Sequence, residues 1–144
     1  MRNDYYALSS SKNVLVADGT VFAALIAMNR MNLLTDIYEK IYTTPEIYSL
    51  CQRSLDIESL KTFRSLVTQI EFSVGSVEID SIRELSASLT DDDACAMLYG
   101  MVEKTDVVMD DPVKAKIFSS HSVKVKRLTD IVSAAALTKK QNPA

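Results

Sequence analysis

The chain has 144 residues, 47% apolar and 24% charged, with 16 Lys plus Arg against 19 Asp plus Glu for a net charge of −3. Such a chain forms one globular domain and buries about 68–70% of its unfolded surface, so it needs neither disulfides nor a structural metal to fold. Glycine is confined to Gly19, Gly75 and Gly100, which excludes the GxxxxGK and GxGxxG loops that cradle phosphates.

Asn13 to Ala17 (NVLVA) is short, apolar and β-branched, as expected of a strand covered on both faces of a parallel sheet. It stops at Asp18-Gly19. Thr20 to Asn32 then sets Phe22, Leu25, Ile26 and Asn29 at helical spacing, and Leu33 to Lys40 reads as a second short helix. Ile41 to Thr43 fits a second strand closed by Thr44-Pro45, with Pro45 suited to the first turn of a helix reaching about Arg53. From Asp56 to Gln69, then on to Ile70, the residues Ile57, Leu60, Phe63 and Val67 form one amphipathic stripe. Ile70 to Val74 is compatible with a helix end or a short strand.

Ser81 to Ser88 suggests a weak helix. Thr90 is a good N-cap with Asp93 at the capping-box position, and Ala94, Leu98, Met101 and Val102 continue an apolar stripe that ends near Lys104. Asp106 to Met109 (DVVM) reads as another buried strand. Asp111-Pro112 starts a helix to about Ser119, Ser122 to Lys126 alternates Val with Lys as an edge strand does, and Leu128 to Leu137 is a last helix before a polar tail. Alternating strands and helices, with no internal repeat or linker, predict a single α/β domain built on a parallel sheet.

The remaining composition narrows the chemistry. The longest apolar run, Val21 to Met28, spans eight residues, against roughly 20 for a membrane helix. No apolar signal core opens the chain, so a cytoplasmic protein without membrane association is expected. Cys51 and Cys95 lack metal-site spacing and His121 is the only histidine, which argues against Cys/His zinc sites and histidine-dependent triads. The cysteines read as reduced packing residues, and His121 as a loop residue.

Carboxylates are abundant, and their placement is uneven. Residues 1–109 hold nine basic and 16 acidic side chains, net −7, whereas residues 110–140 hold seven basic and three acidic, net +4. The basic stretch either solvates exposed elements or attracts phosphate. In an open parallel sheet, ligands bind beyond the carboxyl ends of the strands, where the strand order reverses. Asp18 ends the first strand, Asp110 and Asp111 end the DVVM strand, and Asp93 begins the helix leading into it. Asp93 and Asp111 could be helix caps alone, and Asp91 and Asp92 are expected to favour the helix N-terminus from solvent. Three acidic positions converging on one edge nevertheless suit a hard divalent cation, Mg²⁺ or Mn²⁺, which takes oxygen ligands.

The series VLVADGTVFAALIAM, IYTTPEIYSL, SLTDDDACAMLYG, DVVMDDPVKAKIF and SVKVKRLTDIVSAA resembles the PIN domain family, the small prokaryotic toxin-type or orphan nucleases in particular. The resemblance spans about residues 13–137 of a single domain covering 1–144. It implies a three-layer α/β/α sandwich around a parallel sheet of four to five strands, with an acidic pocket that binds Mg²⁺ or Mn²⁺ and hydrolyses RNA. The family's acidic positions fall on Asp18, Asp93 and the Asp110-Asp111 pair, with Asp111 preferred as the catalytic ligand. The family commonly carries a further Glu on the helix after the second strand. That position is Leu50 here, or Ser49 in a shifted register, and Glu46 one helical turn earlier is either a substitute acid or a helix-terminus charge.

Lys114, Lys116, Lys124, Lys126 and Arg127 are expected to guide the RNA backbone, since an anionic pocket on an acidic protein repels its substrate without them. Toxin-type members imply a homodimer and an antitoxin partner. A catalytically degenerate PIN-fold module that binds nucleic acid or protein is the alternative. VADGT is also similar to the DxDGT motif of haloacid-dehalogenase-like phosphatases, but Val16 occupies the nucleophile position. A receiver domain needs paired acids after the first strand, and only Asp18 is there.

Overall fold

The computed structural model describes residues 12–71 and 75–141, with side chains described through residue 137. Five strands, β1 (Asn13–Val16), β2 (Lys40–Thr43), β3 (Val67–Gln69), β4 (Asp106–Val108) and β5 (Lys124–Lys126), form one parallel sheet in the order β3-β2-β1-β4-β5. Between and after them lie α1 (Gly19–Ala27), α2 (Asn32–Thr35), α3 (Pro45–Ser54), α4 (Ile57–Leu66), α5 (Ser76–Arg83), α6 (Asp91–Glu103), α7 (Pro112–Ser120) and α8 (Leu128–Gln141).

Successive side chains of a strand point to opposite faces, so β1 feeds two cores. Val14 and Val16 pack with Phe22, Leu25, Leu34, Phe63 and Ile131 on the side of α1 to α4 and α8. Leu15 and Ala17 pack with Met97, Met109, Phe118 and Val123 on the side of α6 and α7. The result is the expected three-layer α/β/α sandwich. Phe22 and Phe63 meet edge to face with centroids 5.1 Å apart, and each fully buried Phe contributes roughly 1.5–3 kcal/mol through burial.

From β1 the chain winds outward through β2 to β3, then crosses to β4 on the other side of β1. The strand order therefore reverses between β1 and β4, and the loops leaving their carboxyl ends diverge to open a crevice. Among the described residues no helix is long and apolar enough to cross a membrane.

Scarce glycine has visible consequences. Among the described residues, three turn positions with left-handed backbone fall to Asn29 (φ 55°), Lys104 (φ 56°) and Ser122 (φ 67°) instead. Asn29 lies just past α1 and stops that helix short of the expected Asn32. Gly100 serves a different need, a close approach of α6 to the sheet. A Cβ there would stand 2.9 Å from Val107 Cγ2 and 3.0 Å from Val123 Cγ1.

Several boundaries differ from the sequence expectation. The stripe over Asp56 to Gln69 is not one helix: α4 ends at Leu66, and the chain passes directly into β3, where Val67 pairs with Ile41. Helical spacing continued across the junction because Val67 is buried by the sheet. Residues 72–74 of the ambiguous Ile70 to Val74 segment lie outside the described residues, as do the tails at 1–11 and 142–144. Helix α5 begins at Ser76 rather than Ser81 and buries none of its side chains, while α8 continues past Leu137 to Gln141. His121 lies in the turn after α7, as expected of a loop residue. It caps the end of α7, with Nδ1 2.9 Å from the Ile117 carbonyl oxygen. Both cysteines are free thiols, Cys51 buried and Cys95 half-buried.

Candidate active site

Helix caps place most of the carboxylates in the crevice. Asp18 is the N-cap of α1: its Oδ1 accepts hydrogen bonds from the Thr20 N–H (3.0 Å) and hydroxyl (2.7 Å). Its Oδ2 accepts from the Asp110 N–H at 3.0 Å, which ties the end of β1 to the end of β4. Burial alone would raise this carboxyl. Those three donors, with the Lys114 charge, outweigh burial and hold it below the ordinary 3.8.

Asp93 closes a capping box with Thr90 at the start of α6. The Thr90 hydroxyl accepts from the Asp93 N–H at 3.0 Å, and Asp93 Oδ2 accepts from the Thr90 N–H at 2.9 Å. The same Oδ2 is 2.9 Å from Lys114 Nζ. Asp111 is the N-cap of α7, with Oδ1 accepting from the N–H groups of Val113 (3.0 Å) and Lys114 (3.1 Å). Each acid thus both caps and faces the crevice, so neither role displaces the other.

Together with Asp92, Asp110 and Glu46, these residues line a cavity of about 480 Å³ at the carboxyl ends of β1 and β4. Asp92 is the residue the sequence reading misplaced. Its Oδ2 accepts from the hydroxyl of Thr44, the fully buried N-cap of α3, so this carboxylate turns into the cavity and away from solvent. Burial pushes its pKa up, and the charges of Glu46 and Asp93 add to that. The Thr44 hydroxyl and Glu46 N–H oppose the shift without overturning it. Its neighbour Asp91 points outward to Arg83, 3.0 Å away.

The donors are carboxylate oxygens with the Thr20 and Thr90 hydroxyls beside them, a set that fits Mg²⁺ or Mn²⁺ in type. As they stand, no three or more such acids among the described residues are grouped closely enough to share an ion. The basic residue lining the cavity is Lys114.

No protein-family model matches the sequence, and no curated protein sequence matches it. Solved structures do match. One is a PilT N-terminus domain protein of the hyperthermophilic archaeon Sulfolobus solfataricus, with a TM-score of 0.54 and 12% identity over 85% of this chain and 92% of that one. Another is PAE2754 from Pyrobaculum aerophilum, with a TM-score of 0.56 and 16% identity over 86% of this chain and 98% of that one. The fold is PIN-like.

The resemblance implies a further acid at Leu50, or at Ser49 in a shifted register. Leu50 is 47% exposed, and its Cδ2 lies 3.6 Å from the place a Cβ on Gly19 would take, beside the Asp18 turn. Glu46 does reach the cavity wall, whereas Leu50 is not among the lining residues.

The basic residues separate. Lys114 lines the cavity, its Nζ 2.9 Å from Asp93 Oδ2. Arg127 Nε is 3.3 Å from Asp110 Oδ1, its Nη2 donates to the Asp110 carbonyl at 2.8 Å, and the Leu128 N–H donates to Asp110 Oδ1 at 2.9 Å. Asp110 is thereby committed to the start of α8. Lys116 is exposed on α7. Lys124 and Lys126 lie two residues apart on edge strand β5, and Lys126 lines a separate cavity of about 220 Å³ with Tyr38 and Asp130.

Proposed function

We propose that this protein is a divalent-metal-dependent ribonuclease acting at the crevice between β1 and β4. The observation that carries this reading is the gathering of Asp18, Asp92, Asp93, Asp110 and Asp111, with Glu46, on one cavity where the strand order reverses. Asp18, Asp93 and Asp111 would hold Mg²⁺ or Mn²⁺, with Asp110 behind them. Such an ion supplies Lewis-acid polarisation of a phosphate oxygen and a water of lowered pKa.

The chain's own residues prepare the site. Three hydrogen bonds orient Asp18 and keep it ionised. Thr44 holds Asp92 towards the cavity, and the α7 N–H groups fix Asp111. Lys116, Lys124, Lys126 and Arg127 belong to the basic stretch proposed to run beside the RNA backbone. An antitoxin peptide seated at the acidic cavity and a second copy of the chain are the protein partners this reading suggests.

Leu50 in place of an acid favours a second reading, a PIN-fold module that binds nucleic acid or protein without cleaving. The purified protein should cleave single-stranded RNA with Mg²⁺ or Mn²⁺ and not with EDTA. Asp18→Asn and Asp111→Asn should each lower the rate by about 100-fold, the scale of losing one electrostatic group. Undiminished cleavage in either variant sinks the assignment. Stabilisation by Mn²⁺ without any cleavage selects the second reading.

A further inference from the structure

We infer that Lys114 is the site's own cation, and that a divalent ion entering the cavity competes with its ammonium for Asp93. This inference rests on the metal-dependent reading above and concerns the regulation of that same site. Lys114 Nζ lies 2.9 Å from Asp93 Oδ2, and the two side chains are 25% and 10% exposed. The pair is therefore largely shielded from water. The charges of Asp111 and Asp18 also act on this ammonium, so it stands where the attraction of three carboxylates adds.

Its position is built in. The Asp111 carboxylate accepts from the Lys114 N–H and fixes the first turn of α7, so the side chain starts at the cavity rim and reaches inward to α6. A protonated lysine has no lone pair and cannot join an ion's ligand shell. Two cations at one carboxylate also repel, and the repulsion is strong where water is partly excluded. Ammonium and metal therefore compete for the charge of Asp93, and each weakens the hold of the other. Lysine is suited to such an exchange, because its flexible four-carbon stem lets the charge swing out to solvent.

The test is calorimetric titration of MnCl₂ alone into the wild type, Lys114→Met, Lys114→Gln and Lys114→Arg, with melting curves in EDTA to verify folding. Lys114→Met and Lys114→Gln should bind Mn²⁺ at least about tenfold more tightly than wild type, and Lys114→Arg no more tightly. In EDTA both neutral variants should melt below wild type, and Mn²⁺ should raise their melting temperature more. Equal or weaker Mn²⁺ binding by whichever neutral variant folds overturns the inference while leaving the metal site standing. Absence of Mn²⁺ binding in all four proteins overturns both.

Discussion

At the amino end of β4, Asp106 is fully buried and accepts a 2.8 Å hydrogen bond from the Tyr38 hydroxyl. At the carboxyl end of the same sheet, Asp18, Asp92, Asp93, Asp110 and Asp111 crowd one solvent-reached cavity, and Lys114 is the basic residue lining it. A buried carboxylate beside a matched donor is a structural element, since removing the donor exposes a large desolvation cost. The carboxyl end gathers more negative charge than its caps need. There the caps orient charge as well as satisfying helix ends.

The comparison can be broken at either end. Tyr38→Phe strips the hydroxyl donor from Asp106 and should cost about 1–3 kcal/mol in denaturant unfolding, with Mn²⁺ affinity unchanged. A change in Mn²⁺ affinity there would mean that the two ends are coupled.

Asp92→Asn tests the crowded end with the opposite sign. A carboxyl held above its ordinary 3.8 binds more protons folded than unfolded, so it detracts from stability progressively as pH rises past that value. The Asn variant should therefore gain on the wild type in metal-free buffer between pH 4 and pH 7, by less than about 1 kcal/mol after solvent screening. Asp18, held below 3.8, behaves the other way. Its contribution is present above that pH and lost as pH falls through its depressed value. A stability difference that does not vary with pH would remove Asp92 from the charged cluster.

The smallest expected effect is from Leu50→Glu. Leu50 is exposed beside the Asp18 turn, so the change should leave the melting temperature in EDTA within about 1 °C, as surface substitutions do. Mn²⁺ affinity should rise a few-fold, roughly 1 kcal/mol or less, because a further carboxylate joins the cluster. An unchanged affinity would show that Leu50 stands outside the metal's reach.

Much of this arrangement is local and so is legible in the chain. A β-branched apolar run marks β1, Thr90 with Asp93 marks the start of α6, and Asp111-Pro112 marks the start of α7. The two caps depend on contacts within four residues, and β1 shows in the apolar pattern of its own side chains. The junction of α4 and β3 was not legible, because Val67 keeps the helical spacing while its burial comes from pairing with Ile41, far away in sequence. The roles of Asp91 and Asp92 were hidden for a related reason. Adjacent helix residues point about 100° apart, and Met97 and Gly100 packing on the sheet decide which of them faces the cavity.

The sequence by itself determined which side-chain donors the site has to offer. With three glycines, one histidine and two isolated cysteines, the chain is left with carboxylate oxygens as donors, and its alternating elements bring them to one edge of a parallel sheet. Only the tertiary structure decided which carboxylates meet and which charge answers them. Asp92 turns in because Thr44 arrives from another strand's end, Asp110 on the cavity wall is held by Arg127 and the Leu128 N–H, and Lys114 crosses from α7 to Asp93 on α6. Those choices depend on distances between elements remote in sequence, which no local spacing encodes.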